Sequence, residues 1–262
     1  MVKSKLFDKA GNEKGQIELP KNFSVRIRHD ILAKVFEAQR LIYAQPYGSM
    51  PEAGRQYSAS GILRKRRHAW KGTYGKGISR VPRKIMSRHG TSFNWIGATV
   101  SSTRGGRRPH APKAEENPFR KTNKKELLIG FNSAFVGTID SKSLENKYGK
   151  KINSGFVFDE LILNLKTKDF FEVLKKVFGD NFVNVLKIKT VRAGKGKMRG
   201  RKYKSNAGML FVIASDEKMQ RSGIDVVKVD ELKVSDLSPN GEPGRIACYT
   251  EKAIKQIGEK FR

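Results

Sequence analysis

Met209-Leu210-Phe211-Val212-Ile213-Ala214 is a run of six residues without one polar side chain. A strand with one wet face alternates apolar and polar residues. A continuous apolar run marks a strand covered on both faces. C-terminal to it, Asp225 to Val229 and Arg245 to Tyr249 read as two more strands, and Thr250 caps a final helix through Ile257. N-terminal to it, Phe156-Val157-Phe158 reads as another buried strand. Between them Asp169 and Glu172 open a helix whose Phe170, Phe171, Leu174, Val177 and Phe178 share one face, and Gly179 stops it. Strands alternating with helices from about residue 155 predict an α/β fold with a mainly parallel sheet flanked by helices.

The N-terminal part adds to the same body. Residues 1–20 read as short strands around a turn at Ala10-Gly11-Asn12. After Asp30, taken as an N-cap, Ile31, Leu32, Val35, Phe36, Ala38, Ile42 and Tyr43 recur at helical spacing until Pro46 and Gly48. Asn123-Lys124-Lys125-Glu126 has the form of a capping box, followed by the stripe Leu127, Leu128, Phe131, Ala134 and Phe135. Asp140 to Lys151 is charged enough for a surface helix or loop. Both long helices would pack on the sheet, so whatever lies between them is an insertion.

That insertion is the least ordinary part of the chain. Between Glu52 and Glu115 run sixty-two residues with no Asp or Glu, ten Arg and five Lys, both Trp and nine Gly. Its Leu, Ile, Val and Phe number only eight, too few for a core of its own. Gly- and Pro-containing clusters are expected to prevent any long helix or strand inside it. An extended out-and-back path of this length reaches roughly 100 Å at about 3.3 Å per residue. The whole chain carries a net charge of +29, beyond what solubility requires, and a polyphosphate is the partner such charge implies.

Several chemistries are disfavoured. One cysteine, Cys248, allows neither an internal disulfide nor a zinc ribbon. Met1 to Leu6 has no apolar leader run, and no stretch approaches eighteen apolar residues, so a cytoplasmic location without a membrane partner is expected. His68, His89 and His110 lie twenty-one residues apart without an acid or cysteine beside them, so no metal site is assigned. No Ser-His-Asp arrangement can be read from spacing, and neither catalytic residue nor cofactor is assigned. The run Arg192-Ala193-Gly194-Lys195-Gly196-Lys197-Met198-Arg199-Gly200-Arg201-Lys202-Tyr203-Lys204 lacks the Lys-Ser/Thr ending of a nucleotide-binding P-loop. It sits in a second acid-free stretch, Asn181 to Ser215, and suits a phosphate backbone better.

Guanidinium forks match phosphate oxygens and aromatic faces stack on unpaired bases, so Arg and Trp interleaved with Gly favour irregular RNA over duplex DNA. The candidate RNA-binding residues are Arg55, Arg64, Lys65, Arg66, Arg67, Trp70, Lys71, Lys76, Arg80, Arg83, Lys84, Arg88, Trp95, Arg104, Arg107, Arg108 and His110, joined by Arg192, Lys195, Lys197, Arg199, Arg201 and Lys202. Trp70 and Trp95 are the expected stacking groups. Arg66, Arg67, Arg80, Arg83, Arg107 and Arg108 are the expected phosphate clamps.

Four motifs carry a resemblance: Ile78-Ser79-Arg80-Val81-Pro82-Arg83; Gly105-Gly106-Arg107-Arg108-Pro109-His110-Ala111-Pro112-Lys113; Arg192 to Tyr203; and Gly241-Glu242-Pro243-Gly244-Arg245 with Thr250-Glu251. Together they resemble the universal large-subunit ribosomal protein "L four" family in its archaeal and eukaryotic form, over essentially the whole chain. The resemblance implies a Rossmann-like α/β domain, residues 1–44 and 119–262, and an extended RNA-penetrating loop, residues 45–118. It also implies a structural, non-catalytic role that aids subunit assembly. The implied partners are large-subunit ribosomal RNA, neighbouring ribosomal proteins, and the nascent peptide in the exit tunnel that the loop lines. Residues 70–88 would form the distal loop, with 64–67 and the Gly-Gly-Arg-Arg motif gripping RNA along its sides. An RNA-modifying or RNA-processing enzyme with a basic insertion is the alternative.

Overall fold

The computed structural model describes residues 2–59, 68–69, 71–152 and 155–261. It divides into two compact units, Met1–Tyr43 with Phe119–Arg262, here the body, and Ala44–Pro118. In chain order the elements are β1 (Lys3–Phe7), β2 (Glu13–Glu18), α1 (His29–Ile42), β3 (Arg83–His89), β4 (Ser92–Gly97), α2 (Lys124–Ile139), α3 (Ser141–Tyr148), β5 (Phe156–Phe158) and α4 (Thr167–Phe178). They continue with α5 (Phe182–Val185), β6 (Lys189–Val191), β7 (Tyr203–Ser205), β8 (Leu210–Ile213), β9 (Asp225–Lys228), α6 (Val234–Leu237), β10 (Ala247–Thr250) and α7 (Glu251–Lys260).

The body is built on a six-stranded sheet in the order β2-β1-β5-β10-β8-β9. Every pairing is parallel except β1 with β2, the antiparallel hairpin at one edge. Side chains alternate across a strand, and here both faces are covered. Leu210 and Val212 of β8 join Ala247 and Tyr249 in a core with α1, α2, α6 and α7. Phe211 and Ile213 point into a second core with Cys248, Phe156 and Phe158, closed by α4. The apolar run at 209–214 is therefore covered on both faces, as its composition predicts, in a strand between β10 and the edge strand β9.

Local signals fared unevenly. Thr250 caps α7, its Oγ1 accepting the Ala253 amide at 3.2 Å. Asp140 caps α3, and Gly149 ends that helix in the left-handed region at φ 67°. Asp30 is not the N-cap of α1; that position is Arg28, and Asp30 lies in the first turn, where its carboxylate takes the Arg28 guanidinium at 2.7 and 3.0 Å. Only half of the expected box at Asn123 forms: the Glu126 carboxylate takes Lys34 and the Asn123 amide, while the Asn123 side chain caps nothing. Helix α2 runs close to its neighbours because it carries glycines. A Cβ at Gly137 would lie 2.4 Å from the Pro243 Cβ, and one at Gly130 would lie 3.1 Å from Val35.

The Gly-Glu-Pro-Gly-Arg motif holds the body together. Gly244 sits at φ +103°, and a Cβ there would lie 2.3 Å from the Ser143 carbonyl oxygen. That tight passage delivers Arg245, almost fully buried, to the carbonyls of Gly208 (3.0 Å), Asp236 (2.6 Å) and Ala207 (2.7 Å) and to the Asp225 carboxylate (2.7 Å). Asp225 also takes the Lys187 ammonium at 2.8 Å. Burial alone would raise the Asp225 carboxyl, but hydrogen bonds from Lys187 and Arg245 outweigh it and hold it below its ordinary range. A depressed carboxyl stabilises the fold above the unfolded-state pKa of about 3.9 and loses that contribution as pH falls through the folded value. Asp225→Asn should therefore flatten the acid limb of a plot of urea midpoint against pH; an unchanged limb would refute the assignment.

Candidate nucleic-acid interface

Within the unit at 44–118, β3 and β4 form an antiparallel hairpin with His89 opposite Ser92. This overturns the expectation that glycine and proline forbid long strands there, since β3 is seven residues and β4 six. Gly75, Gly77 and Pro82 bound the hairpin rather than interrupting it. Its two-residue link, Gly90-Thr91, needs a positive φ, which Gly90 supplies at +55°.

Apolar burial contributes little to this unit: among its described residues Ala98 is the only buried hydrophobic one. Backbone contacts take its place. The Ala98 amide donates to Pro82 O at 2.7 Å, Arg107 to Thr99 O at 3.1 Å, and Ser49 to Pro112 O at 3.2 Å. Close packing depends on glycine: a Cβ on Gly106 would lie 1.9 Å from the Val100 carbonyl oxygen, and one on Gly54 would lie 2.6 Å from the Arg107 Cα. Gly106→Ala should destabilise this turn by about 1–3 kcal/mol. Amide exchange would then speed up across residues 98–108 and stay unchanged in the body. Unaltered exchange there would contradict the packing argument.

The candidate cations occupy several kinds of place. Arg55, Lys71, Arg88, Arg104, Arg108 and His110 are exposed, and Arg107 is half-buried. Arg55, Arg107, Arg108, His110 and Lys113 line one cleft of about 840 Å³ with Met50 and one acid, Glu115. Arg80 is exposed with its guanidinium 4.7 Å from the Tyr74 ring centre, and Lys84 lies 4.1 Å from that of Tyr57. Lys76 lies 5.4 Å over half-buried Trp95, and these two line a smaller cleft with Ile78 and Arg83. Such cation–aromatic pairs stiffen the unit without withdrawing its charge. Arg83 departs from the expected clamp role. It is buried and donates to Ser79 O (2.8 Å), Val81 O (3.1 Å) and Ser79 Oγ (3.2 Å), so it braces the loop's own backbone. Arg64, Lys65, Arg66, Arg67 and Trp70 lie outside the described residues.

The second acid-free stretch forms its own element in the body. Strands β6 and β7 pair antiparallel, and the Arg192 amide donates to Lys202 O at 2.8 Å. A 3-10 turn, Lys195–Arg199, joins the strands between Gly194 and Gly200, which sit at φ 74° and 75°. Arg192, Lys195, Lys197, Arg199, Arg201 and Lys202 are all exposed on this ribbon. A ribbon this short has no apolar alternation to betray it. The available signal was the pair of glycines bracketing a five-residue turn.

The ribbon holds no acid and the unit at 44–118 only Glu52, Glu115 and Glu116 against fifteen cations, so each presents net positive charge to whatever anion approaches. Catalytic chemistry has no comparable basis. Burial pushes the Cys248 thiol well above its ordinary pKa, and its Sγ lies 3.3 Å from Met209 Sδ, an inert core position. Among the described residues no group of His, Cys, Asp and Glu could hold a metal ion, and no helix is long and apolar enough to cross a membrane.

Comparison with known proteins adds what geometry leaves open. Similar proteins include the large ribosomal subunit protein uL4 of Nanoarchaeum equitans (strain Kin4-M), 35% identical over 264 residues, covering 97% of each chain. That of Methanococcoides burtonii is 33% identical over 271 residues, covering 100% of each. That of Sulfurisphaera tokodaii is 32% identical over 273 residues, covering 99% of this chain and 95% of the other. Residues 17–260 match the family described as the ribosomal protein L4/L1 family, a span that takes in most of both cores, the hairpin unit and the basic ribbon. With the family match spanning most of the chain and full-length relatives above 30% identity, the chain belongs to the ribosomal protein L4/L1 family.

Proposed function

We propose that this chain is a structural constituent of the large ribosomal subunit, binding its ribosomal RNA and aiding assembly. Residues 45–118 act as an extended RNA-penetrating loop inserted in a globular α/β domain made of residues 1–44 and 119–262. Arg55, Lys71, Lys76, Arg80, Lys84, Arg88, Arg104, Arg107, Arg108 and His110 meet phosphates there, as do Arg64, Lys65, Arg66 and Arg67. Trp70 and Trp95 are the aromatic contacts. Arg192, Lys195, Lys197, Arg199, Arg201 and Lys202 make a separate contact from the body. The loop lines the polypeptide exit tunnel, where it meets the nascent peptide, and neighbouring ribosomal proteins complete the surroundings. The place of action is the cytoplasmic ribosome.

The observation that carries this is a unit with fifteen cations, no acid between residues 53 and 114, and one buried apolar side chain among its described residues. Three flanking glutamates cannot balance fifteen cations, and folded RNA supplies closely spaced phosphates together with unpaired bases. Catalysis on RNA is disfavoured by membership in a family of ribosomal proteins. The test is binding of the full chain to a large-subunit RNA fragment and to duplex DNA across a salt series. Preference for the RNA at physiological salt, with a steep salt slope, is expected. Equal affinity for both would favour a DNA-compacting protein.

A further inference from the structure

The β6–β7 ribbon has two unlike faces. Val191 stands directly opposite Tyr203 in the register, and Thr190 opposite Lys204. Since side chains alternate, Val191 and Tyr203 share one face, while Arg192, Lys202 and Lys204 share the other with Thr190. The apolar pair is uncovered, with Val191 58% and Tyr203 55% exposed, and Met198 in the joining turn is 82% exposed. A two-stranded ribbon ordinarily buries such a pair against something.

We propose that this ribbon is a second, independent RNA contact that seats one unpaired base on Tyr203 and Val191 while Arg192, Lys202 and Lys204 hold the flanking phosphates. The inference rests on the RNA-binding function above and names the part of the RNA this surface fits. Three observations favour RNA as the occupant. No carboxylate occurs from Asn181 to Ser215, so the ribbon repels basic proteins. Although Lys202 springs from the opposite face, its long side chain wraps the strand and brings its ammonium 5.5 Å from the Tyr203 ring centre, within reach of the phosphate of a base stacked there. The ribbon's root is also fixed. Asn206 accepts from the Ile188 amide at 2.7 Å and donates to Leu186 O at 2.9 Å, and Lys187 is tied to Asp225 at 2.8 Å. A fixed root presents the ring at little entropic cost.

The test uses the full chain with two labelled RNA hairpins, one carrying a three-uridine bulge and one a continuous stem. Tyr203→Ala should weaken binding of the bulged probe about ten-fold and leave the continuous stem unchanged, with Tyr203→Phe retaining full affinity. Substituting Arg192, Lys202 and Lys204 together by serine should weaken both probes and lower the magnitude of the salt slope by about 2. Irradiation should attach a uridine to Tyr203. Equal loss on both probes, or no loss on either, would overturn the proposal, as would a protein crosslink at Tyr203 without a nucleotide adduct in whole subunits. Failure of the unaltered chain to bind either probe at physiological salt would instead overturn the RNA-binding function itself.

Discussion

Replacing Arg245 by alanine should lower the stability of the full chain by about 3 kcal/mol, the lower end of what breaking a buried ion pair costs. The lower end applies because Asp225 keeps a third of its side-chain surface exposed, so water can partly solvate the orphaned carboxylate. The carbonyls of Ala207, Gly208 and Asp236 have less recourse, since each loses a guanidinium donor in the interior. Arg245→Lys should recover little, because one ammonium cannot reproduce a planar fork that reaches four acceptors. Urea unfolding decides it: a loss under about 1 kcal/mol for the alanine variant would mean water replaces the arginine freely. The consequence extends to the basic ribbon, because Asp225 also anchors Lys187 at its root.

Excising residues 50–111 and bridging the ends with a short Gly-Ser linker should leave the body's thermal stability within a few degrees of the intact chain. The Ser49 amide and the Pro112 carbonyl are 3.2 Å apart, so the cut ends already lie side by side. Both hydrophobic cores draw only on residues outside the excision. RNA affinity should respond very differently. If about six of the removed cations meet phosphates, the salt slope loses about 4–5 in magnitude and affinity at moderate salt falls on the order of 10³-fold. Thermal unfolding and a salt titration on the same protein separate the two effects. Collapse of the body would show that the excised unit contributes to its core. Unchanged RNA binding would remove the loop from the interface.

What could be read in advance followed burial. The runs at 209–214 and 156–158 announce strands covered on both faces, while α4 is announced by its single apolar stripe and α7 by the Thr250 cap. The β3–β4 hairpin was hidden because its alternating residues, Phe93 and Trp95 in β4, sit in a basic, glycine-rich segment with only a Gly-Thr link between the strands. Arg83 and Arg245 show the opposite limit. Arg83 was expected to clamp phosphate and Arg245 to open a strand, yet both are buried on backbone carbonyls, and only the path of the chain reveals it. Asp30 failed as a cap because Arg28, two residues earlier, captured its carboxylate. Cation positions on the ribbon were recognised from composition alone, whereas the Val191–Tyr203 pair required the register.

The most direct test of the account is ultraviolet crosslinking of the protein in cell lysate, with the attached nucleic acid sequenced and the attachment sites mapped on the chain. The account predicts large-subunit ribosomal RNA, attached mainly within residues 55–110 and 192–204. Attachment to DNA or unrelated RNA, or adducts confined to the body outside both segments, would contradict it.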